Sequence, residues 1–391
     1  MKQNLIYFLI SDFPDLYDDA LIYFAEGLTE LGISFYANRN YWQINLGGDY
    51  LFKEAEINSR EFNIVILSNH WTEYIHPKTF QNFSKPLPKW LFNTGRKYKT
   101  VYIDAKDDYK TFSYSKEARK FDYILRTKKN YLTFNPQNIH PWVLGFQKRI
   151  CYEKKAVAIE DKKFQMAVNF GYSHPYAHSL RTLAEKNFIS KFPKQFINRY
   201  ISERKEPEDP FSKLMFKQTN GLHNLNYFLN IEQTLLVAAF CGDLIPGLPH
   251  DPSVYLIGGN KAKIKKEIFT ILSNLKGVKQ RIIQWDSWRF WETLALGSVP
   301  IHIDLEKYGV ELPIMPLNWK HYIGIDLDNI NQTIERVIEE KDAIYKIAKE
   351  GNEWCMINYS PEASAKRFLK TIGLSSEIQE TSILIIKDSI K

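Results

Sequence analysis

The chain has 391 residues, 44% of them hydrophobic and 25% charged, which places it among globular proteins and makes it too long for one ordinary core, so two domains are expected. Its three cysteines, Cys151, Cys241 and Cys355, are far apart and odd in number, which argues against a disulfide framework and a cysteine-based zinc site. A formal charge of +7 suits an anionic ligand, and with 9 Trp, 23 Tyr and 25 Phe it also raises nucleic-acid binding, but the lysines are dispersed and no nucleic-acid motif accompanies them.

The first element is the apolar run Leu5 to Ile10, shorter than a signal-peptide core with its flanks and read as a strand. No stretch approaches the roughly 20 apolar residues that cross a bilayer, and no lipidation signature stands at either end. A cytoplasmic protein is expected, with peripheral membrane contact left open.

An amphipathic helix follows near Asp18 to Leu31, with Leu21, Phe24, Ala25, Leu28 and Leu31 on one face and Gly32 as its stop. Short apolar strands are expected at Ile33 to Ala37, Asn63 to Ser68, Thr100 to Asp104 and Tyr123 to Arg126, the texture of parallel strands covered on both faces. This alternation predicts a first α/β unit over residues 1–150. The segment Phe134 to Lys155 contains Pro136, Pro141 and Gly145 without a clear period and reads as a connection.

A second α/β unit is expected over residues 151–360, with strands at Phe164 to Phe170, Leu235 to Cys241 and Val299 to Ile303. Within it, Lys261 to Leu275 puts Ile264, Ile268, Ile271, Leu272 and Leu275 on one helical face and lysines on the other; the run Lys261 to Lys266 fits a phosphate or membrane patch but reads more readily as the solvated face of a helix, and it is assigned no functional role. Helices are expected at Asn331 to Lys349 and Pro361 to Ile372, the last opened by Ser360 and Pro361. Residues 361–391 are assigned to that helix, expected to cross back onto the first domain, and a tail.

The chemistry concentrates in Gln284 to Asp304, which reads as loop, short helix, glycine stop and strand. Asp286 or Ser287 can cap the helix and Gly297 can end it. A helix N-terminus at the carboxyl edge of a parallel sheet offers N–H groups and a positive dipole end to a diphosphate. Arg289 and Glu292 share a helical face; the first suits phosphate and the second the two hydroxyls of a ribose, while an exposed i, i+3 ion pair explains the same spacing.

The pattern Ser287-x-Arg289-x-x-Glu292-x-Leu294-x-x-Gly297-Ser-Val-Pro300 resembles the donor-site motif of exostosin-like glycosyltransferases, with Ser298 in place of the usual Cys. Tyr227 to Gly242 is similar to the segment preceding that motif, although Asp243 to Gln280 intervenes here as an insertion. The block Trp285 to Glu292 with Glu306 to Gly309 and Pro316 to Tyr322 also resembles bacterial family-1-like glycosyltransferases. These resemblances cover the last two thirds of the chain in patches.

They imply an α/β fold of two Rossmann-like domains facing a cleft, the GT-B architecture, and a hexosyltransferase-like enzyme moving sugar from a UDP- or GDP-sugar co-substrate to an unidentified acceptor. Glu292 would bind the ribose, Ser287 and Arg289 would face the diphosphate, and Gly242 would allow close approach. The strand end at Asn169, with Ser173 and Arg181, would open the second unit where such enzymes place a phosphate-binding basic residue, beside His174 and His178, whose spacing without a third ligand makes no metal site. No metal or other cofactor is expected. Asp12, His70 and Asp104 each follow an expected strand and are the candidates for a general base. An epimerase or hydrolase of the same fold and a non-enzymatic nucleic-acid-binding protein remain as other readings.

Overall fold

The computed structural model describes residues 5–374 apart from 60, 77, 78, 80, 109, 110, 153–156, 171–178, 200–204, 252–259 and 279. Strands β1 (Ile6–Leu9), β2 (Phe35–Ala37), β3 (Ile64–Ser68), β4 (Lys99–Asp104), β5 (Tyr123–Arg126) and β6 (Ile139–Pro141) form a six-stranded sheet in the order β6-β5-β4-β3-β1-β2. Every neighbouring pair in it is parallel. A second, five-stranded parallel sheet uses β7 (Lys163–Val168), β8 (Ile197–Arg199) and β9 (Thr234–Ala238). After the antiparallel pair β10 (Asp243–Ile245) and β11 (Arg281–Ile283), it adds β12 (Val299–Ile303) and β13 (Ile323–Ile325), in the order β8-β7-β9-β12-β13.

Strands β3, β9 and β12 are buried at every residue, as continuous apolar runs covered on both faces should be. The covering helices include α1 (Asp19–Glu30), α2 (Asn69–Thr72), α3 (Ser179–Asn187), α4 (Leu225–Gln233), α5 (Asn260–Leu275), α6 (Trp288–Ala295), α7 (Lys341–Tyr359) and α8 (Pro361–Thr371). The architecture is the expected one of two Rossmann-like α/β units facing a cleft. No helix among the described residues is long and apolar enough to cross a membrane.

The two units are locked by α1 and α8. Asp18 caps α1 by accepting from Leu21 N, and Leu21, Phe24, Ala25 and Leu28 enter the first core. Helix α7 packs in the second core through Ile344, Ile347 and Trp354. The chain then turns at Ser360, whose hydroxyl accepts from Ala363 N, and α8 lays Ala365, Phe368 and Leu369 in the first core. The Phe24 and Phe368 rings meet edge to face at 4.5 Å.

Three expectations change. Part of the supposed connection is strand β6, which pairs in parallel with β5 through Ile139 and Ile124; it is too short to show a period, and Pro141 is tolerated because the strand lies at the sheet edge. The helix expected over Asn331 to Lys349 is two helices, Ile330–Glu339 and α7, separated at Glu340 by one non-helical residue. Helix α5 is present, but its apolar face turns outward rather than into a core.

The α1–α8 contact is close enough to test. A Cβ on Gly27 would lie 2.0 Å from the Pro361 carbonyl oxygen, a backbone atom that cannot step aside. Gly27→Ala therefore forces the helices apart and should lower stability by about 1–3 kcal/mol in urea unfolding. An unchanged midpoint and slope would contradict this packing.

Candidate functional site

In the first sheet the strand order reverses between β1 and β3, and in the second between β7 and β9. Open parallel sheets bind ligands beyond their carboxyl ends at such reversals. Asn69 and His70 follow β3, Asn169 follows β7 and Cys241 follows β9, and all line one cavity of about 540 Å³ between the two units. That volume suits a ligand larger than a single sugar or phosphate.

The cavity wall contributed by the second unit is built on α6. Gln284 takes a left-handed φ of +56°, which turns the chain sharply out of β11. Trp285, Phe290 and Trp291 then drop into the second core, so most of this aromatic block is packing. Asp286 does not cap the helix. Its Oδ1 accepts from Trp291 Nε1 at 2.6 Å and its Oδ2 from Leu144 N at 2.8 Å, and burial pushes its pKa up to about 7 against the pull of Lys128.

Ser287 holds the N-cap position without a side-chain capping bond. Ser287 lines the cavity, and its Oγ is buried with no hydrogen-bond partner among the described residues. A hydroxyl left unmatched at a helix N-terminus is an offer to an anion.

Arg289 and Glu292 do not form the exposed pair their spacing allows. Arg289 Nε donates to Asn169 Oδ1 at 3.1 Å, and Glu292 Oε2 accepts from the Tyr227 hydroxyl at 2.9 Å. Glu292 is 5% exposed; burial raises its pKa while Arg149, Tyr227 and Arg289 oppose the rise. Both side chains line the cavity, as does Arg181, whose Nε donates to the Phe240 carbonyl at 3.1 Å.

Arg149 is a cavity residue that the sequence reading did not single out. It is buried and donates to Gln147 Oε1 at 2.9 Å, to His223 Nδ1 at 3.1 Å and to the Tyr17 hydroxyl at 3.2 Å. Burial and this guanidinium together push the His223 pKa down to about 3, so His223 is neutral. The hydrogen-bond partners of Arg149 among the described residues are thus uncharged, while the carboxylates of Glu292 and Glu26 lie near enough to act on its charge. No local signal marks Arg149, because it lies in a segment without periodicity.

On the opposite wall, α2 begins directly at the end of β3 and carries His70 into the cavity. His70 Nδ1 stands 3.4 Å from Asp18 Oδ1, and the other oxygen of Asp18 accepts from the Ser68 hydroxyl. Burial alone would lower the imidazole pKa, but Asp18, with Asp19 beyond it, more than reverses this and raises it above the ordinary histidine value. Asp19 Oδ2 in turn accepts from Trp288 Nε1 at 2.6 Å, joining the first residue of α1 to the first residue of α6.

The remaining candidates lie elsewhere. Asp12 is exposed and ion-paired to Lys85. Asp104 is buried opposite Arg126 in the β4–β5 register, and its Oδ2 accepts from Arg126 at 2.6 Å and from Thr111 and Ser113. Neither lines the cavity. Gly242 has φ +101°, and a Cβ there would meet the Ile283 carbonyl oxygen at 2.5 Å, so the β10–β11 contact explains its lack of a side chain. Ser173, His174 and His178 lie outside the described residues. Among the described residues no group of three His, Cys, Asp or Glu could hold a metal.

No family model matches the chain, and no curated protein matches it. Among solved structures it is similar to an alpha-glucosyltransferase in complex with UDP-glucose and DNA containing an abasic site, at TM-score 0.46 and 9% identity over 95% of this chain and 98% of that one. It is also similar to Anabaena HepE in complex with UDP, at 0.45 and 11% over 94% and 99%. A glycosyltransferase from Rickettsia africae ESF-5 gives 0.46 and 10% over 97% and 99%. At such scores these likenesses carry nothing further, and the chemistry is read from the cavity itself.

The Asp104–Arg126 pair explains why a carboxylate at a strand end serves the fold. Arg126→Met would leave Asp104 buried without its cation, and stability should fall by about 3–5 kcal/mol in chemical denaturation. A loss under about 1 kcal/mol would show that Asp104 does not depend on Arg126.

Proposed function

We propose that this chain is a glycosyltransferase of the GT-B architecture that transfers sugar from a nucleoside diphosphate sugar, UDP- or GDP-linked, to an acceptor hydroxyl. In this reading residues 1–150 receive the acceptor, residues 151–360 hold the donor, and residues 361–391 tie the two together. The observation that carries it is the N-terminal turn of α6, where Ser287, its Oγ unpartnered among the described residues, and buried Glu292 line one cavity.

The diphosphate is assigned to Ser287, the first N–H groups of α6, Arg289 and Arg149, with Arg181 alongside. The carboxylate of Glu292, one turn further on, accepts from the ribose hydroxyls. Transfer forms a bond from the acceptor oxygen to the anomeric carbon and breaks the bond from that carbon to the diphosphate oxygen, which leaves with the electron pair. Guanidinium groups and N–H dipoles stabilise the charge that grows there.

His70 is assigned as the base on the facing wall. With Nδ1 turned to Asp18, Nε2 takes the acceptor proton, and Asp18 stabilises the imidazolium that results. This arrangement supports an inverting displacement, in which base and leaving group stand on opposite sides of the sugar. Asp12 and Asp104 are left out because their carboxylates are engaged away from the cavity.

Donor binding tests the first half. Calorimetry should show UDP or GDP binding, and Glu292→Gln should weaken it by about 1.5–3 kcal/mol, because a charge-assisted acceptor is lost while size is kept. The melting temperature should hold. Unchanged affinity would remove the ribose assignment.

The pH dependence tests the second half. A base acts in its neutral form, so nucleoside diphosphate release from the donor should rise with pH through a pKa above the ordinary histidine value of about 6.5. Asp18→Asn keeps the helix cap but removes the anion, so the rising limb should move to lower pH and the plateau should fall. Stability carries the matching sign: the raised pKa makes the His70–Asp18 pair stabilising below about pH 6.5, and this is lost as pH rises through the folded value. A limb unmoved by Asp18→Asn would contradict the pairing.

A further inference from the structure

Among the described residues, helix α5 meets the second unit through Phe269, Ser273 and Lys266. Phe269 packs on Ile245 and Ile283, Ser273 Oγ accepts from Leu248 N at 3.0 Å, and Lys266 Nζ lies 3.6 Å from Asp243 Oδ1. At about 100° per residue these three side chains fall on one side. Among the described residues the opposite side is aliphatic and exposed. Ile264, Ile268, Ile271 and Leu275 are 55%, 50%, 61% and 79% exposed, and Leu272 completes an arc of about 100°.

A surface helix ordinarily turns such an arc inward, so these residues are not explained by the fold that carries them. Their surroundings are basic. Lys265 borders the arc and Lys276 is exposed just past the helix, and Glu267 is the one acidic residue of the helix sequence. On the first unit, Phe134 donates its N–H to the His250 carbonyl, near the end of the segment tied to Ser273, and its ring is 67% exposed.

We infer that α5 is an interfacial helix that docks this protein on an anionic lipid surface, its aliphatic arc entering the headgroup boundary and its lysines meeting the phosphates. Aliphatic residues flanked by lysines on a helix lying flat are what an acidic bilayer surface accepts. The same charge disfavours a second copy as the occupant, because a two-fold pairing through this face brings the two lysine sets together. The docking surface is separate from the cavity and does not depend on the reaction assigned to it.

The test is co-sedimentation of the full chain with vesicles of phosphatidylcholine alone and of phosphatidylcholine mixed with phosphatidylglycerol, at low and high salt. Binding is expected to the anionic vesicles, weakened by salt, with the neutral vesicles bound at least about tenfold less. The double variant Ile268→Glu and Ile271→Glu alters only exposed side chains, so it should keep the parent melting temperature and lose vesicle binding. Three outcomes would overturn the inference: no binding of the parent chain to anionic vesicles, binding that survives in the double variant, and a soluble dimer that the double variant dissociates.

Discussion

The hydrogen bond from the Trp288 indole to Asp19 crosses between the two α/β units at the place where the cavity lies. Its donor is the first residue of α6 and its acceptor the first residue of α1. Asp19 is buried, and burial raises its pKa even though His70 and Trp288 favour its charged form. Beside it, Leu144 N donates to Asp286 and the Tyr17 ring meets the Trp288 ring. A buried carboxylate bound from the far domain fixes the spacing of the two walls, since separating them leaves both partners unmatched.

The other end of this clamp is α8. It returns from the second core to the first and lies so close to α1 that Gly27 has no room for a side chain. Tyr23, on the same helix, donates its hydroxyl proton to the Tyr359 carbonyl oxygen at 2.7 Å, where α7 ends. Helix α1 is therefore gripped at its start by α6 and along its length by the chain reversal. The side chains that face each other across the cavity, His70 beside Asp18 and Glu292 beside Arg149, inherit their positions from that one helix and its partners.

Much of the fold was legible because parallel strands covered on both faces are written as unbroken apolar runs, as at Ile64 to Leu67 and Leu235 to Ala238. The last helix was legible from Ser360 and Pro361, a local cap. Strand β6 was not, since three residues hold no period. In the cavity, the Ser287 to Gly297 grammar was visible, and the structure brings Ser287, Arg289, Glu292, Arg181 and His70 to one space. Asn169 was legible only as a strand end, Tyr227 only as the start of a resembling segment and Arg149 not at all, because their relation to Glu292 and Arg289 exists only in three dimensions. Asp104 and Arg126 looked unrelated until the β4–β5 register set them side by side. Helix α5 makes the same point in reverse: its period shows which residues share a face, and nothing in the period says whether that face is covered.

The central claim is that the N-terminus of α6 holds a diphosphate between the two domains, and a crystal structure of the protein with UDP or GDP tests it most directly. The account predicts phosphate oxygens within hydrogen-bond reach of Ser287 Oγ and the first α6 N–H groups, Arg289 or Arg149 turned onto them, and ribose hydroxyls donating to the Glu292 carboxylate. A nucleotide seated elsewhere, with Ser287 Oγ still unmatched and Glu292 still bonded only to Tyr227, would contradict it.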